Sequence, residues 1–171
     1  GLESWLRDGT VPQITACVVA KERGGAYGDR LAAIATSAIA HLPAPQTNDM
    51  NVEGEFHFTY RDVQYRGYKD LTYWEYGSRV LHDHKTTSSF KWAKTREQLR
   101  QDMQVNLYAQ SEFQQLAVGE VKCHWHYTTT DKTPTTRPVH FTVYRDAVEK
   151  HCEAINVRAK RLLKLYQEKP D

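Results

Sequence analysis

What this sequence of 171 residues lacks narrows it first. No apolar run approaches the roughly 20 residues needed to cross a bilayer, so no membrane-spanning helix and no membrane partner are expected. Residues 1–8 have neither the basic nor the apolar region of a secretory signal. The three cysteines, Cys17, Cys123 and Cys152, are far apart, odd in number and not in any C-x-x-C arrangement. They read as buried thiols of a reducing, intracellular compartment. No G-x-x-x-x-G-K-[ST] run, internal repeat or low-complexity tract occurs, which excludes a nucleotide-driven motor within these residues. A net charge of +2 is too small to argue by itself for a nucleic-acid partner. What remains is ordinary composition, 40% apolar and 26% charged. The length suits one domain over residues 1–171 with a substantial core, residues 1–27 forming a peripheral segment.

The chain is organised around residues 67–85. Arg79 to His82 lead an apolar strand into Asp83, His84 and Lys85. Alternation puts Leu81, Asp83 and Lys85 on one face and Val80, His82 and His84 on the other. A carboxylate and an ammonium at the end of a strand that starts apolar are costly to bury unless they serve each other or a ligand. A second strand is expected over 65–72, with Tyr68, Asp70 and Thr72 on one face. The polar break at 74–78 suits a hairpin turn in which Gly77 takes an unusual backbone angle. Antiparallel pairing then sets Asp70 beside Asp83. Two neighbouring carboxylates repel unless a cation lies between them, and oxygen ligands suit Mg²⁺ or Mn²⁺.

Residues 95–112 have helical character. Thr95 can cap the helix, and Leu99, Met103 and Leu107 recur every four residues as an apolar stripe. Gln104 and Tyr108, also four apart, are neighbours on its flank. The helix can present an amide and a phenol to whatever the carboxylates hold.

Gly67-x-x-Asp70, then Asp83-x-Lys85-Thr86, then a helix with Gln104-x-x-x-Tyr108, resembles the PD-(D/E)XK nuclease superfamily. Its RecB-like branch, with the AddB and CRISPR-adaptation exonucleases, is the most similar, over roughly residues 52–145. The resemblance implies an α/β (α+β) fold with a restriction-endonuclease-like core, in which a central mixed sheet of about five strands is flanked by helices. It implies a Mg²⁺- or Mn²⁺-dependent DNA exonuclease of recombination, repair or phage replication. Asp70, Asp83 and the backbone carbonyl of His84 would hold metal, Lys85 would serve the attacking water, and Gln104 and Tyr108 would position the reacting groups. DNA ends or single strands are the expected partners, together with a helicase or another recombination protein, because many relatives sit in larger assemblies. Iron–sulfur relatives need four cysteines, three of them clustered late in the domain, so no iron–sulfur cluster is expected here. Relatives often place a histidine on an early helix in a G-x-x-x-H-x-x-L pattern. With Gly24 and Leu31 aligned, Gly28 stands in its place, and His41 lies too far along for a clean match.

The other elements follow from periodicity. A helix is expected over 28–41, with Leu31, Ile34, Ala35 and Ile39 apolar and Pro43 stopping it. A half-exposed strand over 51–60 has Glu53 and Glu55 toward solvent. Strands follow over 120–130 and 139–144, and a long helix from Arg145 has the stripe Val148, Cys152, Ile155, Ala159, Leu162 and Tyr166. Lys91, Lys94, Arg96 and Arg100 crowd the segment after Lys85, with Trp92 among them. Such cations grip phosphates and such aromatics stack on unpaired bases; on charge alone the segment reads as a solvated surface. His124-x-His126 can converge on one ion. With no third nitrogen or sulfur ligand placed by the sequence, a solvated sheet face is the plainer reading. Likewise, Asp83 and Lys85 admit a plain ion pair, and a non-cleaving DNA-binding scaffold is the alternative to the nuclease.

Overall fold

A computed structural model describes residues 25–43 and 49–168. Helix α1 (Gly25–Ile39) is followed by strands β1 (Asn51–Tyr60), β2 (Val63–Glu75) and β3 (Ser78–Thr87). Two tight turns set this meander. Arg61 and Asp62 join β1 to β2 with φ of 44° and 71°, and Tyr76 and Gly77 join β2 to β3 with φ of 48° and 75°. Two successive left-handed residues give the hairpin turn whose twist matches that of paired strands. Gly77 takes the angle expected of it.

From β3 the chain makes a single 3₁₀ turn (Phe90–Trp92), then helices α2 (Arg96–Arg100) and α3 (Met103–Gln115). It returns as β4 (Glu120–Thr129), parallel to β3, and β5 (Thr136–Tyr144), antiparallel to β4, before α4 (Arg145–Gln167). The result is a five-stranded mixed sheet in the order β1-β2-β3-β4-β5 with helices against it, an α+β fold. Among the described residues no helix is long and apolar enough to cross a membrane.

Alternation divides the sheet faces. Leu81, Val121, Cys123, Trp125, Tyr127, Phe141 and Val143 pack against Leu99, Val105, Ala109, Phe113, Val148 and Cys152 of the helices. Each large side chain so buried stabilises the fold by about 1.5–3 kcal/mol. The opposite face holds a smaller cluster of Leu71, Tyr73 and Val80, with Leu42, Met50 and Val52 beside it. Cys123 and Cys152 are buried free thiols, and Cys17 lies outside the described residues.

Three expectations need correction. The helix expected over 95–112 is two helices. Thr95 caps the first through a reciprocal bond with Gln98, and Asp102 caps the second by accepting from the Gln104 N–H at 2.8 Å. The break re-phases the apolar stripe. Leu99 is buried but Met103 is 60% exposed, and Val105, Ala109 and Phe113 supply the core side. In α4, Val148 and Cys152 are buried as expected, whereas Leu162 and Tyr166 are exposed.

The ladder between β2 and β3 is short, from Glu75↔Ser78 to Leu71↔His82. Beyond it β2 stays with β1 as far as Tyr60↔Val63, while β3 stays with β4 as far as Thr87↔Thr129. The sheet therefore forks, and Asp70 and Asp83 stand at the first unpaired step.

Candidate active site at the strand fork

Asp70 stands in for the missing ladder: its Oδ2 accepts the His84 N–H at 2.9 Å. Asp83 faces α3 and is wholly buried. Lys85 Nζ donates to Asp83 Oδ1 at 2.9 Å and lies 2.7 Å from Oδ2. Oδ2 nonetheless has no partner in hydrogen-bonding geometry among the described residues. The cap at Asp102 aims the first turn of α3 at this carboxylate. Gln104 Nε2 donates to Asp83 Oδ1 at 3.2 Å and to the Tyr108 hydroxyl at 2.8 Å.

Burial, then the Asp70 charge, push the Asp83 carboxyl up to about 6, against the pull of Lys85. For Lys85, burial disfavours the ammonium, but Asp83 and Asp70 outweigh it and raise the pKa. The same two carboxylates act on the Tyr108 hydroxyl, which burial raises first. Asp70, Asp83, Lys85, Gln104 and Tyr108 thus form one electrostatic unit.

Gly67 has a packing reason. A Cβ there would lie 2.8 Å from the Phe56 ring, which meets Tyr108 edge to face at 5.4 Å between centroids. The glycine lets Phe56 lie flat behind the phenol.

Beside Lys85 opens a groove of roughly 310 Å³, whose walls include Thr86, Trp92, Lys94, Gln104 and Tyr127. Trp92 is 68% exposed, with Lys91 Nζ 5.0 Å from its ring centroid. Lys94 pairs with Asp102 at the groove wall. Arg96 is exposed on α2 and does not line the groove. Arg100 turns to β5, donating to the Thr142 carbonyl and lying over the Phe141 ring. Glu53 and Glu55 are exposed, as expected.

The sheet face behind Asp83 differs from the solvated surface expected of His124 and His126. In register, His82 lies opposite His124, His84 opposite His126, and His124 opposite His140. His82 and His126 are 3% and 2% exposed. Burial and neighbouring imidazoles hold His82 down to about 3 and His126 to about 2, so both are neutral at physiological pH. His41, just past α1, meets His126 edge on at 5.6 Å, on this face rather than at the carboxylates.

With this geometry in view, comparison adds one thing. A solved Eubacterium rectale protein, named as a candidate exonuclease, superposes with a TM-score of 0.52 over 95% of this chain and 71% of its own, at 12% identity. The two chains share a fold. A second structure, SSO0001, is 13% identical and reaches a TM-score of 0.42 over 81% of this chain; the chain spans 63% of that protein's length. No protein-family model and no curated protein matches the chain.

Three features of the site were not read from the sequence. Lys69, one residue before Asp70, is buried against Ser111 and Glu112 of α3. Arg79 Nε donates to the other Glu112 oxygen at 2.6 Å and Nη2 to Thr72 at 2.7 Å. The third is the break before Asp102, for which an Asp two residues before Gln104 was the available signal.

Proposed function

We propose that this protein is a divalent-metal-dependent nuclease that hydrolyses phosphodiester bonds in DNA, acting as an exonuclease in recombination, repair or phage replication. The observation that carries this reading is the meeting of Asp70, Asp83 and Lys85 where β2 and β3 part, with Gln104 bonded to Asp83. The name carried by the fold-sharing Eubacterium rectale protein points the same way.

The donors fit a hard cation. They are oxygens, and Asp83 Oδ2 is a buried acceptor that, among the described residues, faces only the Lys85 ammonium and makes no hydrogen bond. Asp70, Asp83 and the His84 carbonyl would hold Mg²⁺ or Mn²⁺, which when bound lowers the pKa of a coordinated water and offsets charge on the phosphate. Lys85, anchored on Asp83 but 37% exposed, can turn its ammonium to that water or to a phosphoryl oxygen. Gln104 fixes the Tyr108 hydroxyl and the Asp83 carboxylate relative to each other, so the reacting groups start aligned. The groove with Trp92 and Lys94 suits a single strand or a frayed end, bases against the indole and phosphates near the ammonium. A helicase that delivers such ends is the fitting partner.

The test is degradation of linear DNA with and without Mn²⁺ by wild type and Asp70→Ala. Metal-dependent cleavage is expected, falling about 1,000-fold in the variant, which corresponds to about 4 kcal/mol of lost transition-state stabilisation. Cleavage that ignores metal, or survives in Asp70→Ala, refutes the reading. DNA binding without cleavage in either metal supports a scaffold instead. The position of His41 against His126, behind the sheet, favours that second reading.

Trp92→Ala is a separate check on the groove. Base stacking on an aromatic contributes about 1–3 kcal/mol per base, so single-strand affinity should drop about 5- to 150-fold while the melting temperature holds. Fluorescence anisotropy with a labelled oligonucleotide reads it.

A further inference from the structure

The sheet face behind Asp83 and Lys85 carries imidazoles that phosphodiester hydrolysis does not use. We propose that His82, His84 and His126 form a binding site for a zinc-like transition-metal ion, separate from the carboxylate site. Three nitrogens, one from each ring, lie within 4.8 Å of one another. Tetrahedral zinc, with Zn–N bonds of about 2.0–2.1 Å, sets its donors roughly 3.4 Å apart. Rotation about the soft χ2 torsions draws the rings together by the difference.

Unpartnered atoms mark the place. Among the described residues, neither ring nitrogen of His82 nor Nδ1 of His126 has a hydrogen-bond partner, and all three are buried. Interiors rarely leave such nitrogens bare, and two of the three clustered rings carry them. Two of the rings are also held in orientation: His84 Nε2 lies 2.7 Å from Thr128 Oγ1, and His126 Nε2 lies 2.9 Å from His140 Nε2. Thr128 Oγ1 is in turn 2.7 Å from Thr136 Oγ1, which extends the support to β5.

An all-imidazole set selects zinc, cobalt or nickel over Mg²⁺ and Mn²⁺, which take oxygen. The backbone reason is register: two H-x-H pairs on adjacent parallel strands fall opposite each other, so the ion bridges β3 to β4 directly behind Asp83. His41 brings a fourth imidazole to the same end of the cluster.

The experiment uses tag-free full chain, stripped with a chelator and titrated with zinc chloride by calorimetry, with melting followed in parallel. With excess Mg²⁺ present to occupy the carboxylates, one zinc ion per chain is expected, with a Kd of about 1 µM or tighter and a melting temperature several degrees higher. His84→Ala, at a half-buried position, should weaken zinc binding at least about 10-fold, as should His126→Ala if it folds by circular dichroism. His57→Ala, exposed on β1, should bind as wild type. Asp83→Ala should also bind as wild type, so this site stands or falls apart from the nuclease reading. Folded wild type that takes up no zinc overturns the proposal, and so does His84→Ala binding zinc with undiminished affinity.

Discussion

Near pH 7, Asp83→Asn should melt above wild type when divalent metal is absent, and yet have lost the DNA cleavage that wild type shows with Mn²⁺. The carboxyl sits at about 6 in the fold, raised from 3.8 by burial and by Asp70. Sign follows from linkage. Below about pH 4 native and unfolded chains are both protonated there and nothing is lost. Between about 4 and 6 the native state holds a proton that the unfolded chain has released, so stability falls as pH rises. Above 6 the full penalty remains, two units of pKa being worth about 3 kcal/mol. An amide of the same shape avoids the charge and keeps one oxygen to accept from Lys85 and Gln104, while the exposed end of Lys85 swings away from the new NH2 at the Oδ2 position. The expected gain is about 1–3 kcal/mol, and the expected loss of rate is about 1,000-fold, because the anionic oxygen for the cation is gone. Thermal melts of both proteins at pH 5 and pH 8 check it: the gap should open with rising pH and close when Mn²⁺ is added to wild type. A variant that melts lower at both pH values would refute the strained-carboxylate account.

Glu112→Ala should cost about 3–5 kcal/mol, enough to unfold many domains of this size. Glu112 is 1% exposed and receives both Lys69, at 4%, and Arg79. Removing it strands two cations in the interior. Lys69→Met should cost less, since Arg79 keeps its partner and the methionine fills the stem's space. Urea titration reads both as a lower midpoint at unchanged slope. A drop under 1 kcal/mol for Glu112→Ala would mean that the pair is water-bridged rather than dry. The triad also carries functional weight, because Glu112 shares α3 with Gln104 and Tyr108 and ties that helix to β2 and β3.

How much of this could be read in the sequence depends on the range of the forces involved. The β2–β3 turn at Gly77, the alternation through Asp83 and Lys85, and the pairing of Gln104 with Tyr108 are local, and they stand as the residue spacing dictates. Asp70 follows from counting back across a hairpin. The order of one helix, three strands, a helical crossover, two strands and a final helix was legible for the same reason. The split between α2 and α3 was not, because a four-residue apolar period ran through Asp102 and outweighed a capping signal. Lys69 and Glu112 carried no signal of their burial, since only tertiary contact gives each its counter-charge. His124 and His126 looked solvated because their company, His82 and His84, comes from a strand about forty residues earlier in the parallel pairing. The stripe on α4 overran its support, as nothing in a helical period states where the neighbouring sheet ends.

The fork joins its two arms through only five residue pairs, from Leu71↔His82 to Glu75↔Ser78. Mechanically this is a pair of tweezers with a short pivot: the β1–β2 ribbon can tilt against β3–β4–β5 through small φ and ψ changes at a few residues, without breaking a ladder. The gap between the jaws, and hence the spacing of Asp70 from Asp83, is then set by torsion at Leu71 and His82 together with the ties across it, the Asp70–His84 bond and the Glu112 pairs to Lys69 and Arg79. Amide exchange at 71–75 should report that compliance, slowing when a cation closes the jaws.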